Sequence, residues 1–371
     1  MQMQNQPRIE KKTLICGQAE LVASKLFLPA RTEHVITACG HDGVALEQLL
    51  HDEMMAEEAQ PVSRLIFGGG RYYEALGEAY LREDGCLLRL KEATCSDGQM
   101  CAMQATAISG TSLFPLRQKG RNIGVIYEDE CARYCRLTGV IPLVMTASRE
   151  EQTLAVFEML DWILTTNGFC FTDTIRTWFY LDHLLDWYKE FNDVRTRFFE
   201  VRGVFNKLVP ASTGIGAANP WGAALTCDLL AIQPRTADVS IEVASSPLQD
   251  SALRYASSFS RAVEVRMPSH RSLLISGTAS IDAEGKTQFA GDHTRQIERT
   301  LEVVTALLES RNMAWKDVNR GIAYFKDMED RSIFDAICRT YGIQLFPLAL
   351  SQADVCRHDL LFELEVDAVK I

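Results

Sequence analysis

The sequence predicts an α+β chain in which one mixed-sheet unit is used twice. Two observations carry this. Residues 258–371 read strand–helix–strand–helix–strand, an order that gives a mixed sheet with helices on one face. Residues 121–236 then repeat the pattern, with Asp173, Arg176 and Tyr180 set against Asp317, Arg320 and Tyr324 at a constant offset of 144 (Arg320 against Arg176). Arg195-Thr196 and Arg339-Thr340 keep that offset.

The elements follow in order. Residues 1–120 are the least legible and are expected to form a smaller α/β lobe, with strand-like pieces at 86–90 and 105–108. Phe67-Gly68-Gly69-Gly70 is followed by Arg71-Tyr72-Tyr73, not by the Gly-Lys-Ser/Thr of a phosphate loop, so it reads as a turn or a close backbone approach. In the first full unit, Cys135-Arg136-Leu137-Thr138-Gly139 matches the strand 273–277. Ser148-Arg149-Glu150-Glu151 is a capping box, and the helix after it is expected to bury Leu154, Phe157, Leu160 and Leu164 before Asn167-Gly168 ends it. The strand 173–181 follows. Near the end of the unit the offset drifts, and Asp228 is expected roughly opposite Glu363. Residues 237–249 are polar enough for a linker. In the unit 250–371, Asp292 precedes a helix burying Ile297, Leu301, Val304 and Leu308. One such unit cannot cover its sheet face. Two copies in one chain, or two and a degenerate third at the N-terminus, imitate a symmetric trimer and leave one pocket free to specialise.

Composition bounds the function. The chain has 371 residues, 47% of them hydrophobic, enough for two or three units. A net charge of −11 and a pI near 5.2 argue against a polyanion partner, so nucleic acid is not expected. No apolar run is long enough to span a bilayer. The eleven cysteines are odd in number and follow no signal peptide, which reads as reduced thiols in a cytoplasmic protein. Cys131 with Cys135, or Cys95 with Cys101, lacks a metal-site spacing and a paired second half. No metal or organic cofactor is expected.

One carboxylate stands out. On a strand of period two, Leu361, Glu363 and Glu365 share a face. A carboxyl at an apolar strand end beside a cleft has a raised pKa and can deliver a proton near neutral pH; otherwise it is a solvated edge residue.

The opening Phe259-Ser260-Arg261-Ala262, the Ser276-Gly277 strand end, Lys326-Asp327-Met328 and the closing Glu363-Leu364-Glu365 together resemble the RidA/YjgF (chorismate-mutase-like) family. Its members are small trimeric proteins with ligand pockets between subunits, so the resemblance implies tandem units arranged as a pseudo-trimer. The arginine that clamps substrate in RidA-type imine deaminases is absent: Leu350 and Ser212 stand at its places. An endoribonuclease-like relative does not fit the acidic chain.

A larger relative fits better. Arg176-Thr177-Trp178-Phe179-Tyr180, Tyr188-Lys189-Glu190-Phe191-Asn192 with Arg195, Pro210-Ala211-Ser212-Thr213-Gly214-Ile215-Gly216 and Ala353-Asp354-Val355-Cys356-Arg357 resemble the chorismatases. That family cleaves chorismate, a dicarboxylate enol ether, to pyruvate and a cyclic acid. The resemblance implies Glu363 as the catalytic proton donor. Arg357, Arg261, Arg195 and Arg176 are candidates for the substrate carboxylates, because paired carboxylates call for planar bidentate donors. Tyr180 would orient a hydroxyl, Gly214 would admit backbone amides to the ligand, and Cys356 would shape the intermediate in the branch that yields 3-hydroxybenzoate. Each also has a plain role: surface or ion-paired arginine, core tyrosine, simple turn, small buried thiol. The chain departs from the family pattern at Phe179, Val194 and Ala256, where Asn, Gly and Gly are usual. The alternative is a non-catalytic small-ligand-binding protein of the same fold, a monomer or a homo-oligomer.

Overall fold

A computed structural model describes residues 6–69, 72, 87–91, 101–255 and 257–371. Among the described residues, eighteen strands form three six-stranded sheets. The first holds β1 (Arg8–Cys16), β2 (Ala19–Phe27), β3 (Thr32–Gly40), β4 (Gln60–Gly68), β5 (Leu87–Lys91) and β6 (Cys101–Ser109). The second holds β7 (Phe114–Gln118), β8 (Arg121–Glu128), β9 (Ala132–Val140), β10 (Thr174–Leu181), β11 (Ala211–Gly216) and β12 (Leu225–Pro234). The third holds β13 (Ser240–Ala244), β14 (Ala262–Arg266), β15 (Arg271–Ala279), β16 (Val318–Phe325), β17 (Leu348–Gln352) and β18 (Phe362–Lys370).

All three sheets have one strand order: first, second, third, sixth, fourth, fifth. The fold is tandem RidA/YjgF-like units, and the described N-terminal residues, expected as a smaller α/β lobe, carry a third sheet of the same strand order. Its repeat was hidden because the offset and the marker residues are lost there while the topology is kept. The stretch 237–249, expected as a linker, carries β13, which pairs antiparallel with β14 and extends the third sheet; alternation of Ile241 and Val243 with polar residues suits such an edge strand.

Helices cover one face of each sheet. Among the described residues they are α1 (Gly43–Ala56), α2 (Arg149–Thr166), α3 (Tyr188–Val201), α4 (His293–Ser310) and α5 (Arg331–Thr340). The capping box at Ser148 and Glu151 starts α2. Phe157, Leu160 and Leu164 are buried as expected, but Leu154 is 42% exposed, because Thr153 and Val156 take the inward side of that turn. In α4, Asp292 accepts a hydrogen bond from the Arg295 amide, and Ile297, Leu301, Val304 and Leu308 are all buried. Asp173 and Asp317 end matching turns: each carboxylate accepts from the backbone amide three residues earlier, at Cys170 and Ala314. Among the described helices, none is long and apolar enough to cross a membrane.

The units close on one another in a ring. The fifth strand of each packs on the third strand of another: β11 on β15, β17 on β3 and β5 on β9. Backbone bridges join Ala211 to Ser260 and Gly216 to Asp354 across the junction of the second and third units. Phe67, Tyr180 and Tyr324, one from each unit, meet on the axis; Phe67 stands edge-on to both tyrosines at centroid distances of 6.4 and 6.0 Å. At the end of β4 the approach is close: a Cβ on Gly68 would lie 2.3 Å from the Tyr72 ring. Gly70 and Arg71 lie outside the described residues, as do Cys95 and Ala256.

Candidate active site

A cavity opens at the junction of the second and third units. The second unit contributes Tyr188 and Arg195 from α3, with Ser212 and Gly214 from β11. The third contributes Phe259, Arg261, Cys356, Arg357 and Glu363. Six of the eight residues expected at a site are thus brought to one place from two units: Glu363, Arg357, Cys356, Arg195, Arg261 and Gly214.

Glu363 follows the first residue of β18, in antiparallel register with Tyr324 and Ala279. Its side chain lies over Gly277, where an added Cβ would come within 1.9 Å of Glu363 Oε1. The glycine is therefore the space the carboxyl occupies. Glu363 is 5% exposed, and among the described residues no hydrogen bond reaches its carboxyl. Burial, aided by the nearby charge of Glu365, pushes its pKa up to about 8, against a smaller opposing pull from Arg176 and Arg261. At neutral pH it carries a proton. Beside it the Cys356 thiol is pushed up to about 12, first by burial and then by Glu363, so it too is neutral.

The cations are held in place. Phe259 stands between two of them, with Arg261 5.4 Å and Arg195 5.9 Å from its ring centre. Arg195 is 2% exposed; it donates to the Asn192 side chain and stacks over Phe191 at 5.2 Å. Arg261 Nε donates to the Asp250 carbonyl at 3.1 Å, and Arg357 donates to the Gly285 carbonyl. Gly214 faces the Tyr188 ring, with its hydroxyl 3.7 Å from where a Cβ would stand. Tyr188 was missed in sequence as a lining residue. Its signal was the aromatic opening α3, two turns before Arg195 on the same face.

Two expected site residues lie elsewhere. Tyr180 is on the axis, packed with Phe67 and Tyr324, and does not line the cavity. It repeats as Tyr324 because both fill the same axial core. Arg176 is wholly buried, where it donates to Thr213 Oγ1 at 2.7 Å and Glu365 Oε2 at 2.9 Å. Its charge is spent inside the protein. The offset of Asp228 also needs correction: Trp178 pairs with Asp228 as Ile322 pairs with Glu365, so Glu363 is matched by Thr226. Phe179 and Val194 are likewise away from the cavity, Phe179 in the core of the second unit against Phe191 at 4.9 Å.

No protein-family model matches the sequence. A chorismatase of Streptomyces rapamycinicus is 29% identical over 239 residues, covering 57% of this chain and 68% of the relative. A 3-hydroxybenzoate synthase of Streptomyces hygroscopicus is 26% identical over 277 residues, covering 67% of this chain and 77% of that protein. A chorismatase crystal structure matches 83% of this chain and 93% of its own, with a TM-score of 0.64 and 19% identity, a likeness of fold. By sequence and by architecture, the chain is similar to the chorismatases.

Proposed function

We propose that the protein cleaves the enol ether of chorismate and releases pyruvate, with Glu363 as the proton donor. The observation that carries this reading is a buried carboxyl, neutral near pH 7, in one cavity with three guanidinium groups. Chorismate presents two carboxylates and a vinyl ether. Arg195, Arg261 and Arg357 supply the positive charge and the planar donors that two carboxylates need. The relatives named chorismatase and 3-hydroxybenzoate synthase support the same substrate.

The chemistry follows from the residues. Glu363 gives its proton to the terminal vinyl carbon, and the ether carbon becomes an oxocarbenium ion. Removing water from the site strengthens the interaction of that cation with the newly formed carboxylate of Glu363. Capture by water gives a hemiketal, which breaks to pyruvate and a dihydroxycyclohexadienoate. Rearomatisation of the ring instead gives a hydroxybenzoate and pyruvate with no net consumption of water. Cys356, neutral and beside Glu363, is placed to shape that choice, and Tyr188 closes the cavity from the other unit.

The test is pyruvate release from chorismate, read by coupling to lactate dehydrogenase. The parent protein should release pyruvate, and Glu363→Gln should lower kcat by about two to four orders of magnitude, the usual share of general acid catalysis. Arg357→Ala should act chiefly on KM. A parent protein that releases no pyruvate overturns the reading.

A further inference from the structure

The strand that carries Glu363 carries a second buried carboxylate on the same face. Glu365 is wholly buried, and its surroundings are the reverse of those of Glu363. Glu365 Oε1 accepts from Arg320 Nη2 at 2.8 Å and from Trp178 Nε1 at 3.0 Å. Glu365 Oε2 accepts from Arg176 Nη2 at 2.9 Å and from the Thr213 hydroxyl. Burial opposes its charge, but the two arginines and these hydrogen bonds outweigh that and hold it below the usual carboxylate range. It stays ionised. Glu363, two residues away and over Gly277, has no such donors among the described residues.

We propose that Glu365 is a positioning residue for the proton donor: its fixed negative charge, two residues along the same strand face, adds to burial in favouring the neutral Glu363 carboxyl that the reaction needs. This rests on the chorismate-cleaving reading above. Two carboxyl groups side by side do not both ionise easily, and here the donors are all given to one of them. Thr213 ties the two together. Its hydroxyl donates to Glu365 and accepts from the Gly277 amide at 3.0 Å, under the Glu363 side chain. The other charged or titratable groups around Glu363 come from several further elements. They are Arg176 on β10, Tyr324 on β16, Tyr188 and Arg195 on α3, and Arg261, Cys356 and Arg357 on the loops before β14 and β18. Of these, Arg176 and Arg261 favour ionised Glu363. Glu365 is the anion that offsets them.

Removing a neighbouring negative charge makes ionisation of Glu363 easier, so activity is lost at a lower pH. The experiment is the pH profile of kcat/KM, which reports the free enzyme, for the parent, Glu365→Gln and Glu365→Asp. The alkaline limb of the parent should fall near pH 8. In Glu365→Gln it should move down by at least about one pH unit, with most activity kept on the acid side. Glu365→Asp, which keeps the charge, should hold the limb near the parental position. A lower rate at every pH with an unmoved limb would make Glu365 a structural staple and overturn the proposal. Should Glu365→Gln alone not fold, the limb is read in the double variant Glu365→Gln/Arg320→Gln, which removes one charge of each sign from the buried cluster of Arg176, Arg320, Glu365 and Asp367 and so avoids a net uncompensated charge. If chorismate is not turned over at all, the function reading fails on its own. The proposal is then read by the carbon-13 NMR titration of Glu363, assigned by its loss in Glu363→Gln. A Glu363 titration that is the same in the parent and in the variants carrying Glu365→Gln sinks it.

Discussion

The junction between the second and third units and the same junction elsewhere in the ring share a backbone plan but not a chemistry. Register resolves the comparison to single residues. Phe67, Tyr180 and Tyr324 occupy one position in the three units, and their antiparallel partners are Ala102, Thr226 and Glu363. A carboxyl group is present at one of the three places. The cation at that junction is equally local. Ala262 pairs with Ile275 as Gly124 pairs with Leu137, which sets Arg261 against Ile123, a buried core residue. Gly139 and Gly277 correspond as well. The Gly139 amide donates to Asp228 of its own unit at 2.7 Å, whereas the Gly277 amide donates to Thr213 of the neighbouring unit. The ring of three supplies a scaffold that any junction could use. Joining the copies in one chain lets two of them revert to plain packing while one keeps the acid, its space and its arginines.

The strongest way to break this difference is to fill the space that Glu363 uses. Gly277→Ala would put a Cβ where Glu363 Oε1 now lies and 3.1 Å from Thr213 Cγ2. The carboxyl must turn away while every charged group remains. A displacement of this size should cost about a hundredfold in kcat, measured as pyruvate release, with the thermal midpoint showing whether the fold is kept. A variant that works at the parental rate would remove Gly277 from the positioning of the acid. The next largest effect is expected from Arg261→Ile, which installs the residue found at the matching place in the second unit. Losing a charge-assisted contact of about 1.5–3 kcal/mol should raise KM by roughly ten- to a hundredfold, with a smaller change in kcat. An unchanged KM would show that Arg261 does not hold substrate.

How far the sequence could foretell this differs from element to element. The strands β10 and β16 were legible because polar and aromatic residues repeat at one offset, and their matching turns follow from Asp173 and Asp317. Glu363 was legible through period-two alternation and the closing motif. The first unit was not, because its residues at the repeated positions are apolar or neutral, Phe67 for a tyrosine and Gln104 for Glu365. The same repeat that revealed the fold misled the site. Tyr180 and Arg176 recur because the axis needs a tyrosine core and a buried ion cluster, and a residue demanded by more than one copy says little about the one specialised pocket. Burial and partner choice, which separate Glu363 from Glu365, depend on strands far away in the chain and leave no local mark.

The two carboxylates also predict opposite effects on stability. Glu363 has a folded-state pKa of about 8, above its unfolded value near 4.5. Its burial therefore carries no ionisation cost below about pH 4.5, and stability is lost as pH rises from there through about 8. Glu363→Gln removes that loss. At pH 9 the variant should be more stable than the parent by a few kcal/mol, of order 3, and the gain should vanish as pH falls to 4.5. Urea unfolding at the two pH values measures it. Equal stability at both would mean that Glu363 ionises freely in the folded protein. Glu365, held below its ordinary value, contributes in the other sense: its share is present above about pH 4.5 and is lost on acidification.

The smallest effect is expected where sequence identity is strongest. Arg195-Thr196 and Arg339-Thr340 are the same pair at the same offset, on α3 and α5. Yet Arg195 is 2% exposed and lines the cavity, while Arg339 is exposed in the last turn of α5. The difference comes from what each helix faces. α3 lies over the junction that holds Glu363, with Phe259 of the next unit against Arg195, whereas Arg339 meets solvent. Arg195→Ala should raise KM for chorismate by at least about tenfold through the loss of a charged donor. Arg339→Ala should leave KM unchanged and shift stability by no more than about 0.5 kcal/mol, as a surface substitution does. If the two variants behaved alike, the arginine would be serving the helix and not the site, and the special status of the one junction would rest on Glu363 and Arg261 alone.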